Sequence, residues 1–160
     1  MKKVFFVLIL IFGLNSAAHG AIEISTDHRA LFFGVMQLGE EKELADSGTY
    51  HNQISCSSTN GKPWYLKIGL LQPLTSGSES IPVENFKWQL VWTDGLGMRV
   101  SDPHQFKEFS IFADLVYTSA ADEASSNPVN FQFKYYLKIP QAQISGVYNT
   151  IIRFTLTEIL

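Results

Sequence analysis

The sequence predicts an all-β protein, an antiparallel β-sandwich of immunoglobulin-like type with about seven or eight strands. Three observations carry that expectation. Apolar residues recur at every second position in segment after segment, the spacing that sends alternate side chains to opposite faces of a strand. Turn-forming pairs such as Asn60-Gly61 and Asp94-Gly95 lie between those segments. No stretch carries a sustained apolar stripe at helical spacing with capping residues at its ends.

The first twenty residues stand apart from this pattern. Lys2 and Lys3 precede an apolar run from Val4 to Leu14, and Ala18-His19-Gly20 supplies the small residues of a cleavage site before Ala21. That is the make-up of a secretory leader, residues 1–20, and its apolar run is shorter than the ~20 residues a transmembrane helix needs. The mature chain is then one domain, residues 21–160, destined for the cell surface, the extracellular space or the periplasm, with no membrane insertion after cleavage. Lys2 and Lys3 leave with the leader, so twelve basic residues become ten against fifteen acidic ones and the formal charge falls from −3 to −5. An acidic chain of this kind has no electrostatic footprint for nucleic acid or anionic lipid. Cys56 is the sole cysteine. No intrachain disulfide is available to it, and burial as a small apolar side chain is its expected fate.

Along the mature chain, Leu31, Phe33 and Val35 alternate in the first strand. Glu40 to Asp46 is short, acidic and flanked by glycines, and reads as a loop or a single turn. Tyr50, Ile54 and Cys56 alternate with His51, Gln53 and Ser55, and Trp64, Leu66 and Ile68 alternate with Tyr65 and Lys67. Asn60-Gly61 between these two runs predicts a hairpin, because both residues accept positive φ. Phe86, Trp88, Leu90 and Trp92 share the inner face of the next strand, which Asp94-Gly95 closes. Phe109, Ile111, Ala113 and Leu115 give a further strand, and the polar segment from Ser119 to Pro128 gives a surface loop. Val129, Phe131, Phe133, Tyr135, Leu137 and Ile139 form the longest alternation, ended by Pro140, which cannot donate to a ladder. After Gly146, Tyr148, Thr150, Ile152, Phe154 and Leu156 share one face of the last strand. These two final strands are expected to pair as a C-terminal hairpin.

Residue patterns that carry catalysis are missing. The chain has no Gly-rich loop between strand and helix, no His-Glu-x-x-His, no cysteine pair and no Gly-x-Ser-x-Gly. His28, His51 and His104 are well separated and have no ligand-like spacing. Glu40, Glu41, Glu43 and Asp46 lack the alternating oxygen ligands of a calcium loop and read as a solvated acidic loop. The chain therefore reads as noncatalytic, with no cofactor and no metal. Trp64, Trp88 and Trp92 lie in phase with aliphatic neighbours, which places them in the core. Tyr65 and Tyr136 fall on the polar faces of their strands and are the candidates for a surface binding contact.

The order of features resembles the WxL domain of bacterial cell-surface proteins. The resemblance rests on Leu31-Phe32-Phe33-Gly34 leading to Gly39, on the Trp-x-Leu of Pro63-Trp64-Tyr65-Leu66-Lys67-Ile68, and on the closing run. That run comprises Tyr136-Leu137-Lys138-Ile139-Pro140, Gly146-Val147-Tyr148-Asn149-Thr150 and Phe154-Thr155-Leu156-Thr157, with Phe154 standing where the family has tryptophan. The resemblance implies a secreted β-sandwich held noncovalently at the cell wall through peptidoglycan, with Trp64, Leu66, Phe154 and Leu156 as motif positions. The same C-terminal pattern is similar to spore coat protein U and pilin-like secreted subunits. Both resemblances point to a surface or structural module and away from an enzyme, and with the leader, the strand pattern and the missing catalytic groups the first reading is a secreted module that binds a cell-wall polymer or a surface protein. The alternative is a pilin-like or coat-like structural subunit assembling by strand exchange, with the apolar segment from Tyr148 to Leu160 as donor.

Overall fold

Most of the period-two alternation becomes strands in the computed structural model, which describes residues 5–15, 22–45, 50–124 and 127–159, the first of these by backbone course alone. In chain order the strands are β1 (Phe5–Asn15), β2 (Ile22–Thr26), β3 (Ala30–Met36), β4 (Glu41–Leu44), β5 (Asn52–Ser58), β6 (Tyr65–Leu70), β7 (Leu74–Ser76), β8 (Glu79–Ile81), β9 (Phe86–Thr93), β10 (Met98–Arg99), β11 (Lys107–Glu108), β12 (Asp114–Thr118), β13 (Val129–Lys138) and β14 (Val147–Thr157). One sheet runs β10-β12-β6-β14-β1-β3, with β7 on β14 and β8 on β7. The other runs β11-β9-β13-β5-β2, with β4 beside the second half of β13. The result is an all-β, two-sheet sandwich. Among the described residues, every strand pairing is antiparallel except that of β1 with β14.

The alternating apolar faces meet between the sheets. Val129, Phe131, Phe133, Tyr135, Leu137 and Ile139 of the second sheet are all buried, as are Tyr148, Thr150, Ile152, Phe154 and Leu156 of the first. Aromatic edges lock the layers together: Phe133 meets Phe154 with ring centroids 5.1 Å apart, and Phe131 meets Trp64 and Tyr117 at 6.2 and 4.9 Å. Cys56 is fully buried in this core, where loss of solvation pushes its thiol far above the ordinary range.

Two expected hairpins are absent. β13 and β14 lie in different sheets, and so do β5 and β6 on either side of Asn60-Gly61. Gly61 does take positive φ, but the turn serves a crossover. Ile54, Cys56, Trp64 and Leu66 are all buried between the two sheets, an arrangement that two strands side by side in one hairpin would not give. From β9 to β14 the chain changes sheet at every connection.

Two bulges shift the inward phase of strands read as regular. In β3, Val7 pairs with Gly34 and Leu8 with Phe32, so Phe33 is an extra residue in the ladder. Gly34 sits at φ 77°, a conformation in which glycine carries no Cβ penalty. Leu31 and Phe33 point inward before the bulge and Met36 after it, leaving Val35 half exposed. In β9, Gln132 faces Trp92 while Phe133 faces Leu90, which makes Val91 the extra residue. Trp92 is thereby turned outward, 44% exposed, and is not a core tryptophan.

Three other segments also differ from their sequence reading. The acidic run forms β4, anchored to β13 by Glu41–Lys138 at 2.6 Å and Glu43–Lys134 at 2.8 Å. Strand β12 starts at Asp114, so Phe109 is buried in the approach to it and Ile111 stands exposed. Within the polar segment from Ser119 to Pro128, Ala121–Ala124 forms a 3₁₀ turn that buries Glu123. No helix among the described residues is long and apolar enough to cross a membrane.

Candidate functional site

The feature that sets this sandwich apart is the place of its first strand. β1 pairs parallel with β14 from Phe6↔Val147 to Asn15↔Leu156 and antiparallel with β3 from Phe5↔Met36 to Leu10↔Ala30. It therefore fills a slot between two strands that are not paired with each other, a gap of roughly two ladder spacings or about 9.5 Å. The other edge of β14 is already taken by β6 and β7. Without β1, the slot-facing backbone groups of β14 and β3 lose their partners, and buried unpaired groups are costly. The residues that occupy the slot belong to the segment with the make-up of a secretory leader; residues 1–4 and 16–21, including the expected cleavage site, lie outside the described residues.

The slot is chemically plain. Ala30–Met36 carries no charge, and Arg153 is the one ionisable side chain of Val147–Leu156 besides the buried Tyr148. The sequence of β1, Phe5–Asn15, is uncharged as well. Lys42, on β4 of the opposite sheet, donates through Nζ to the carbonyl of the bulged Phe33 at 2.5 Å, which holds the irregular edge of β3 in place. Tyr148 is fixed at the entrance of β14, accepting from Gln143 Nε2 and donating to the Ile144 carbonyl, both at 2.7 Å. The segment from Tyr148, expected as a free donor, is built into the centre of its sheet.

The motif positions of the resemblance are structural. Trp64, Leu66, Phe154 and Leu156 are all fully buried, and Leu156 pairs with Leu66 across β14 and β6. Trp64 donates through Nε1 to the Glu123 carbonyl at 3.1 Å. Phe154→Ala is expected to cost about 3–5 kcal/mol. Phe154→Trp, the residue found at this position in the domain that the sequence resembles, is expected to cost about 1–3 kcal/mol, because a fully buried site must shift to take the larger ring. Denaturant midpoints check both.

Tyr65 and Tyr136 are each half-buried on an outer face, but of different sheets, so they do not form one platform. Tyr136 packs 5.6 Å from the Phe106 ring and bonds to Glu41, and burial followed by that neighbouring carboxylate raises its pKa to about 12. The Lys138 ammonium, then the Tyr136 hydroxyl, hold the Glu41 carboxyl below its ordinary value. A phenol whose pKa rises on folding contributes stability fully below pH 10 and loses it as pH climbs to about 12. Tyrosinate absorbance of the folded chain should show a component near pH 12 that Tyr136→Phe reduces; burial raises Tyr117 and Tyr135 as well.

Sequence reasoning missed Glu123. Its buried carboxylate accepts from the Tyr117 hydroxyl at 2.7 Å, from Leu96 N at 2.5 Å and from Ala120 N at 2.7 Å. It thus ties β12, the 94–97 turn and its own 3₁₀ turn together. Nothing local distinguishes it from its polar neighbours, since its three donors lie on different segments. Nδ1 of His28 lies 3.2 Å from the Asp27 carboxylate, and the His28 and His51 ring centroids are 5.6 Å apart. Among the described residues, no group of three or more His, Cys, Asp or Glu side chains is gathered where an ion could be held. The chain matches no protein-family model and no curated protein.

Proposed function

We propose that the chain is a secreted, noncatalytic structural subunit of the cell surface, an immunoglobulin-like sandwich of the coat-like and pilin-like kind that is completed by a strand from a partner protein. One observation carries the reading: the leader-like segment fills the slot between β14 and β3, so the chain that remains after its removal lacks one strand of its sheet. An open pair of edges recruits another strand through backbone hydrogen bonds, which is recognition by strand addition. The test is to mix the chain 21–160 with a synthetic strand of residues 5–15 flanked by lysines. The expected result is one strand bound per chain, with the slot-facing amides of β14 and β3 becoming protected from hydrogen exchange. A monomer 21–160 whose β14 amides are protected without any added strand overturns the reading.

A second reading is binding of cell-wall glycan, and it too has a supporting observation. The bulge in β9 turns Trp92 out beside Gln132, whose amide bonds to Gln53 at 3.1 Å and through it to Asn130 at 3.2 Å. This amide row adjoins a shallow recess of about 260 Å³ lined by Ser25, Ser55 and Ser57. Amides, hydroxyls and an exposed indole suit the hydroxyls and apolar faces of sugars. Retention on purified peptidoglycan should fall with Trp92→Ala. Unchanged retention in Trp92→Ala, Tyr65→Ala and Tyr136→Ala alike would sink it.

A further inference from the structure

The segment seated in the slot is tied to the rest of the fold by a short tether. Residues 16–21 alone separate the end of β1 from the start of β2, and β2 belongs to the opposite sheet. A strand on so short a tether acts at an effective concentration in the millimolar range. A free strand at about 10 μM then competes at a disadvantage of roughly a hundredfold. Cutting the tether abolishes that advantage without changing a single contact in the slot. The register adds a chemical filter. Ile9 and Ile11 of β1 pair with Thr150 and Ile152 of β14, both of which face the core and are buried. Paired residues in a ladder share a face, so a strand carrying charge at these two places would have to bury it.

We propose that the uncut leader is a place-holder: it closes the slot in the newly made chain, and its severance is the switch that lets an uncharged, β-forming strand of another protein enter parallel to β14. This rests on the strand-completion reading and adds to it an order of events and a selection against charged partners. Before severance the chain is a self-completed sandwich with the slot between β14 and β3 filled. After severance the place-holder is an ordinary ligand that mass action can displace.

The test uses the full chain, refolded with its leader and carrying a site for a specific protease within residues 16–20. A fluorescent strand of residues 5–15 flanked by lysines is offered to cut and uncut chains at equal concentration. The expected result is that the cut chain takes up the labelled strand at least about tenfold more readily than the uncut chain. A labelled strand with lysine at the positions of Ile9 and Ile11 should bind at least about tenfold more weakly than the parent strand. Equal uptake by cut and uncut chains overturns the place-holder. Equal uptake of the charged strand overturns the charge filter. Failure of the strand-completion reading looks different: neither chain, nor 21–160, takes up any strand, while the β14 amides of 21–160 stay protected.

Discussion

Removing residues 5–15 from the full chain is expected to destabilise it by on the order of 5 kcal/mol, which is comparable with the whole stability of an ordinary domain. The loss has two sources. The paired backbone of β14 from Val147 to Leu156, and of β3 from Ala30 to Met36, gives up its partners on the slot side. The core beneath also opens, because Ile152, Phe154, Leu31 and Phe33 are closed off from water to below 1% exposure when β1 is in place. Denaturant unfolding of the two chains gives the energy, and hydrogen exchange gives the location. Protection should vanish first along β14 and β3 and persist in β13, whose neighbours β9, β5 and β4 are all in the other sheet. A deletion costing less than about 1 kcal/mol would mean that β1 is no structural part of the sandwich.

The second large effect is expected at Glu123. Glu123→Ala strips the acceptor from the Tyr117 hydroxyl, Leu96 N and Ala120 N in a site where the carboxylate is 8% exposed. Leaving such donors unsatisfied is expected to cost about 3–5 kcal/mol. The site cannot close over the gap. A Cβ on Gly97 would meet the Thr118 carbonyl at 2.1 Å and the Tyr117 hydroxyl at 2.7 Å, so the turn is already packed against β12 at backbone distance. Glu123→Gln keeps one acceptor oxygen but turns an amide toward N–H donors, and is expected to cost about 1–3 kcal/mol. Tyr117→Phe leaves Leu96 N and Ala120 N bonded to the carboxylate but takes the acceptor from Gly97 N, which bonds the Tyr117 hydroxyl at 2.5 Å, and should cost less than Glu123→Ala. Thermal or chemical denaturation ranks them, and a Glu123→Ala chain as stable as the parent would show that water replaces the carboxylate.

Much of the fold is legible in the sequence, and the misses share a cause. The alternations of Val129–Ile139 and Tyr148–Leu156 name the buried residues of β13 and β14 without error. Those same alternations say nothing about which strand lies beside which, and both hairpins inferred from adjacency are crossovers. Phase was lost where a strand bulges. Val35 and Trp92 continue an apolar alternation on paper, but one extra residue, Phe33 or Val91, turns each to the outside. Gly34 was a visible hint of the first bulge. No comparable residue marks the second. In the candidate site, the leader-like make-up of the first residues is legible in composition, whereas the place of Phe5–Asn15 between β14 and β3 depends in part on residues more than a hundred places away.

By itself the sequence determined the class of the protein: a leader-like start, a single acidic chain, and strands whose inner and outer faces are fixed by steric alternation between residues two apart. Those properties are local, and each segment carries its own evidence for them. The tertiary structure alone decided the pairing order, the two bulges, the burial of Glu123 and the filling of the slot by β1. These depend on hydrogen-bond partners that close the ladders across long loops, and the backbone groups that make them are the same in every residue.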